Sequence, residues 1–151
     1  MLTTQTADNL TLNLTLETLV HASLETTFAS LLAQIGRLNE TPDGKPLPMI
    51  LEAWPGGRWY RDLGGDDGHF WGHVQAIKRP ALLEICGPLF MSYPVISNVQ
   101  YRLKEVEGGT LIAFRHSALG FVQDADRQGM AAGWTPLLDR IRTNAENEER
   151  R

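Results

Sequence analysis

The chain of 151 residues has one cysteine, Cys86, so no disulfide can form within it. That suits a reducing, cytoplasmic setting and takes covalent staples out of any account of stability. Basic residues are also in short supply: 14 Lys and Arg face 18 Asp and Glu, for a formal net charge of −4. A nucleic-acid binder needs a basic stripe to displace counterions from phosphates, and an anionic membrane attracts polybasic segments. Neither partner is expected here. Apolar runs are short. None approaches the ~20 residues that span a bilayer, and the N-terminus lacks the basic and apolar blocks of a secretory signal. Without secretion, the Asn-x-Thr triplets at Asn9, Asn13 and Asn39 are coincidences of a Thr-rich composition.

What is present is enough for one self-sufficient domain. A chain of this length buries roughly 68–70% of its unfolded surface on folding, and the hydrophobic content of 42% is that of a soluble globular protein. Residues 1–9 are polar and expected to be loose. From Leu10 the pattern alternates, with Leu12, Leu14, Leu16 and Val20 on one face and Thr11, Asn13, Thr15 and Glu17 on the other. Period two over this length predicts a strand with one wet face. Ser23 then caps a helix with Glu25 in its first turn, an apolar stripe of Leu24, Phe28, Leu31 or Leu32, and Ile35, and a stop at Gly36. Pro42, Gly44, Pro46 and Pro48 make residues 37–48 a loop.

Six more strands are predicted, over residues 49–54, 58–63, 69–77, 81–86, 98–106 and 110–119. Turn chemistry separates several of them: Pro55-Gly56-Gly57, Gly64 to Gly68, and Glu107-Gly108-Gly109. A closing helix starts near Asp124, with Met130, Trp134, Leu137, Leu138 and Ile141 on one face. Pro136 interrupts it, so either the helix kinks or a second helix begins there; the unbroken apolar phase favours the kink. The charged tail beyond Asn144 is expected to fray, giving an ordered core over residues 10–144. Strand, helix, six strands and long helix, joined by hairpins, predict an α+β domain: a strongly curved antiparallel sheet of about seven strands gripping the C-terminal helix.

Several stretches resemble the START-like (SRPBCC, helix-grip) superfamily, and within it the branch named after a heat-shock ATPase activator homologue. They are Val20-His21-Ala22-Ser23, Pro55-Gly56-Gly57-Arg58-Trp59, Trp71-Gly72-His73-Val74 with Pro80 and Leu83, and Gly87-Pro88-Leu89-Phe90-Met91. Gly108-Gly109-Thr110, Arg115-His116-Ser117 and Gly133-Trp134 with Leu137-Leu138 complete the set. The resemblance implies a cavity between sheet and closing helix, taking a small hydrophobic or amphipathic molecule without a cofactor. It does not extend to chaperone stimulation, since those activators carry an extra N-terminal domain for which this sequence has no room.

The candidate ligand-binding residues are Trp59, Val74, Tyr101, Phe114, His116 and Trp134. In the resembled fold His116, in phase with Ile112 and Phe114, looks toward the closing helix. It is then a polar group in an apolar cavity, able to orient a ligand or to act as acid or base. The alternative is a buried histidine bonded to backbone or to a neighbour such as Tyr101. A cofactor-free cyclase or hydrolase built on His116 is the rival function. A dimerising module using Leu89, Phe90, Met91 and Tyr93 is a third, and the same segment can instead form a rim over the pocket mouth.

A metal site is not expected. His69 and His73 lie on a predicted strand, about 13 Å apart at ~3.3 Å per residue, too far to share an ion. Asp66-Asp67 reads as a hairpin turn, Cys86 as a small buried apolar residue, and Arg115, Arg140 and Arg142 as solvated cations.

Overall fold

In the computed structural model, which describes residues 10–151, the alternating N-terminal pattern forms β1, Thr11–Val20. Leu12 and Val20 are buried there, while Thr11, Asn13, Thr15 and Glu17 are exposed. The loose segment expected over residues 1–9, and the Asn9 triplet, lie outside the described residues. Helix α1, Leu24–Ile35, starts where the Thr26 amide donates to Ser23 Oγ at 3.1 Å. It buries Phe28, Leu31 and Ile35.

The remaining strands are β2 (Ile50–Leu51), β3 (Arg58–Gly64), β4 (Asp67–Lys78), β5 (Leu82–Gly87), β6 (Val95–Val106) and β7 (Gly109–Gly120). They join β1 in one seven-stranded curved antiparallel sheet, in the order β1-β7-β6-β5-β4-β3-β2. This is the α+β architecture read from the sequence, with local differences. The strand expected over 49–54 shrinks to two residues, because Trp54 turns back and donates its amide to the Glu52 carbonyl at 2.9 Å. Strand β6 begins at Val95 rather than Asn98, since Val95 and Ile96 extend the ladder against Gly120 and Leu119. The β3–β4 turn is tighter than expected. Gly65 and Asp66 alone form its tip, both with positive φ, as a two-residue hairpin of the I′ kind needs. At Gly109 a Cβ would lie 2.0 Å from the Val20 carbonyl oxygen, so only glycine lets the β6–β7 hairpin pass the end of β1.

Helix α2, Asp124–Glu149, closes the fold. Met130, Trp134, Leu137, Leu138, Ile141 and Ala145 are its buried residues, at the three- and four-residue spacing of one helical face. They meet the inward side chains of the sheet, among them Val99 and Tyr101 of β6 and Ile112, Phe114 and His116 of β7. The helix runs through Pro136 as one element, so no second helix begins there. Ring closure at Pro136 removes the amide that would serve the Ala132 carbonyl. One residue earlier, Thr135 Oγ1 donates to the Ala131 carbonyl at 2.8 Å.

The charged tail does not fray at Asn144; α2 continues to Glu149. Ala145 is fully buried, Glu146 Oε2 accepts the His21 amide at 2.9 Å, and Glu149 Oε1 accepts the Ser23 amide at 3.3 Å. The acidic residues that looked like a solvated end thus hold the chain between β1 and α1. Further up, Ser30 Oγ donates to the Ile141 carbonyl at 2.8 Å and Asn144 Nδ2 to Gln34 Oε1 at 2.9 Å, fixing α1 against the same helix.

Candidate ligand-binding site

A cleft of about 390 Å³ opens between the first half of α2, the loop at 39–47, and the aromatic end of the sheet. Trp59 of β3 and Trp71 of β4 form one wall, their rings edge to face with centroids 5.0 Å apart. Phe90 extends that wall, 6.1 Å from Trp71. The opposite side is the α2 face bearing Ala125, Gly129, Met130, Gly133, Trp134 and Leu137. A Cβ added at Gly129 or Gly133 would meet no atom within 4 Å. These glycines are therefore not required by packing of the protein on itself. Each is less favourable than alanine in a helix by about 1 kcal/mol, and what they leave is open space along the cleft.

Of the six residues expected to contact a ligand, Trp59 and Trp134 line this cleft. Val74, Tyr101, Phe114 and His116 are buried in the core and do not. His116 has no accessible surface, and both its ring nitrogens are engaged. Trp134 Nε1 donates to Nδ1 at 3.0 Å, and Nε2 lies 2.9 Å from Ser97 Oγ. Because an indole N–H can only donate, Nδ1 is unprotonated and the neutral ring carries its proton on Nε2. Burial holds the pKa of His116 down, from 6.5 to about 4. The partners are Trp134 and Ser97, not Tyr101. The Tyr101 hydroxyl is buried without a hydrogen-bond partner among the described residues, and burial raises its pKa. Its ring packs on Phe114 at 5.1 Å, and Phe114 on Trp134 at 4.8 Å, so this group supports the cleft wall from beneath.

Polar groups sit at two ends of the cleft. Near the start of α2, Tyr93 donates its hydroxyl to Asp126 Oδ2. At the other end Arg140 is not a solvated cation. Its Nε lies 2.8 Å from Glu40 Oε2, and its Nη1 and Nη2 donate to the carbonyls of Thr41 and Pro42, each at 3.2 Å. The loop at 39–47 is thereby strapped to α2.

The segment expected as rim or dimer contact divides. Leu89 and Met91 are buried in the protein's own core, Tyr93 is half-buried, and of the four only Phe90 is exposed, where it lines the cleft. The packing that seats Leu89 and Met91 inside thus corrects the four-residue apolar patch read from the sequence. Arg115 Nη2 donates to Asn98 Oδ1 at 3.1 Å, and Arg142 lies 3.4 Å from Asp139 Oδ1. His69 and His73 both lie on β4 with separate partners: Trp71 Nε1 donates to His69 Nδ1 at 3.2 Å, and His73 Nδ1 lies 3.1 Å from the Gly56 carbonyl. Cys86 is half-buried on β5 rather than buried. Among the described residues no cluster of three or more His, Cys, Asp or Glu could hold a metal ion. Among the described residues no helix is long and apolar enough to cross a membrane.

Sequence reasoning missed Trp71, Gly129, Gly133 and the Glu40–Arg140 strap as parts of this cleft. The glycines had a visible signal, their four-residue spacing on the helix that carries Trp134. The strap had none, because Glu40 and Arg140 are a hundred residues apart in the chain.

A curved antiparallel sheet holding a long C-terminal helix over an aromatic cleft defines a START-like, helix-grip protein. The chain belongs to the family described as Activator of Hsp90 ATPase homolog 1-like protein, whose model matches residues 44–146. No curated protein sequence matches it. Solved structures share its fold. A protein of unassigned function from Rhizobium leguminosarum has a TM-score of 0.71 at 19% identity, over 91% of this chain and 95% of that one. Protein CV1439 from Chromobacterium violaceum gives 0.70 at 15% identity, over 89% and 96%. The di-domain ARO/CYC StfQ from the steffimycin biosynthetic pathway gives 0.67 at 10% identity, over 94% of this chain and 53% of that one.

Proposed function

We propose that the protein binds a small hydrophobic or amphipathic molecule in the cleft between the sheet and α2, without a cofactor, in the cytoplasm. The observation that carries this reading is the cleft itself. At about 390 Å³ it falls within the range of small-molecule sites, and its walls are aromatic. The helix facing those walls keeps two glycines where side chains would fit. Apolar contact supplies the binding energy, at roughly 25 cal/mol per Å² removed from water. Trp59 and Trp134 touch the ligand in this reading, and Val74, Tyr101, Phe114 and His116 support them.

The test is a thermal-shift and calorimetric screen of aromatic and lipid-like compounds, repeated with Gly133→Leu. A Cβ at 133 would meet no atom within 4 Å, so a leucine there has room to enter the cleft and occupy the ligand's space. Hits that bind the native protein and lose at least tenfold in affinity to the variant support the site. Hits that bind both equally, or a screen without hits, reject it.

A further inference from the structure

The cleft combines three indoles whose N–H groups are already taken with a charge inventory that leans negative. Trp59 Nε1 donates to the Ile35 carbonyl at 2.8 Å, Trp71 Nε1 to His69 at 3.2 Å, and Trp134 Nε1 to His116 at 3.0 Å. None of the three can donate a hydrogen bond to a ligand through that nitrogen. Phe90 and Trp71, with the little surface that Trp59 and Trp134 leave exposed, offer the cleft aromatic ring rather than a donor, and such rings attract cations over their electron-rich faces.

The charged residues lining the cleft are Glu40, Asp126 and Arg140. Arg140 is neutralised by Glu40 and has each of its three nitrogens directed to an acceptor on the 39–47 loop. Among the described residues that line the cleft, Asp126 is left as the charge without an opposite partner. Its Oδ2 accepts from Tyr93, a neutral donor, and its Oδ1 has no hydrogen-bond partner among the described residues. The start of α2 does not reverse this balance. Helix N-termini favour anions, but Asp124 and Asp126 already occupy the first turn. Arg127, the cation in that turn, directs Nη1 to the Thr11 carbonyl.

From this combination of ring faces, engaged N–H donors and one uncompensated carboxylate we infer that the ligand is a cation-bearing amphiphile, an apolar body with an ammonium or quaternary-ammonium head, rather than an acid. The inference rests on the cleft being the binding site and specifies the charge of what it takes. Among the described residues lining the cleft the one cation, Arg140, is already paired, so a carboxylate, sulfate or phosphate head would meet Asp126 and the aromatic rings. An ammonium head would be attracted by both.

Three probes with one apolar body separate the possibilities: (2-naphthylmethyl)trimethylammonium, its tert-butyl carbon isostere, and 2-naphthylacetate. Calorimetry at low ionic strength should rank them in that order. The ammonium compound is expected to bind the native protein about tenfold more tightly than its neutral isostere, which corresponds to about 1.4 kcal/mol. Asp126→Asn, which keeps an acceptor for Tyr93, should reduce that preference at least threefold while leaving the affinity of the isostere in place. The ranking of the three probes on the native protein stands whether or not the variant folds. Equal binding of the three, or tightest binding of the acid, overturns the cationic head and leaves the cleft as a binding site. Failure of all three to bind the native protein overturns both.

Discussion

Trp134 of α2 donates its indole N–H to Nδ1 of His116 on β7, at 3.0 Å. The contact is a polar link between the closing helix and the sheet it covers, made among buried apolar side chains. It requires the imidazole to be neutral, since a protonated Nδ1 would be a second donor facing the indole. His116 is thereby a positioning residue. It sets the rotation of Trp134, whose ring is a wall of the cleft, and passes the constraint through Ser97 Oγ to β6.

That link gives stability a pH dependence of known sign. His116 titrates near pH 4 in the folded protein and near 6.5 when unfolded. Between these values the unfolded chain binds a proton that the folded one does not. The contribution is complete above pH 6.5 and is lost progressively as pH falls toward 4, by about 3 kcal/mol in all. Denaturant unfolding of the native protein and of His116→Gln, which does not titrate, should therefore give curves that converge as pH falls from 6.5 to 4. Parallel curves over that interval would show that the imidazole is not buried and neutral.

The strap between Glu40 and Arg140 predicts a local effect larger than its global one. The pair is partly exposed, with side-chain exposures of 35% and 25%, so its contribution to stability is modest, about 1 kcal/mol or less. Yet Arg140 also ties down the carbonyls of Thr41 and Pro42. Arg140→Ala should leave the unfolding midpoint nearly unchanged while speeding amide exchange at Thr41, Gly44 and Leu47, whose backbone bonds stay within this loop or run to Asn39. Unchanged exchange there would mean that the loop holds itself and the strap is incidental.

The sheet and both helices were legible because their signals are local. Leu12 to Val20 alternates, Ser23 caps, and Met130 to Ile141 repeats at helical spacing. The phase of β7 put His116 on the face of Ile112 and Phe114, and the resemblance to the helix-grip fold turned that face toward α2. What could not be read was which inward residues line empty space. Tyr101 and Phe114 have the same pattern as Trp59, and only the packing of Phe114 between Tyr101 and Trp134 puts them behind the wall rather than in it. The C-terminus misled for a related reason. Glu146 and Glu149 look like solvated charges until the amides of His21 and Ser23, some 125 residues away in sequence, are brought to them.

Truncation after Asn144 tests that last point. It removes a fully buried side chain, Ala145, and the acceptors of two amides at the start of α1. The losses, near 1 kcal/mol for each hydrogen bond and somewhat less for the methyl group, sum to about 3 kcal/mol. A truncated protein with a native denaturation midpoint would return these residues to the status of a frayed tail.

Gly129 and Gly133 separate stability from binding most cleanly. Both lie inside α2, and neither has positive φ or a neighbour that a Cβ would strike. Alanine at either should stabilise the protein, by about 1 kcal/mol each and close to additively, because helical propensity is the main quantity that changes. The same two methyl groups project into the cleft. If the glycines are kept to make room for a ligand, Gly129→Ala/Gly133→Ala will melt higher than the native protein and bind more weakly whatever ligand the native protein takes. A double variant more stable and equally good at binding would show that the space along α2 is not used. A less stable one would show that the helix needs glycine at these positions for a reason of its own backbone.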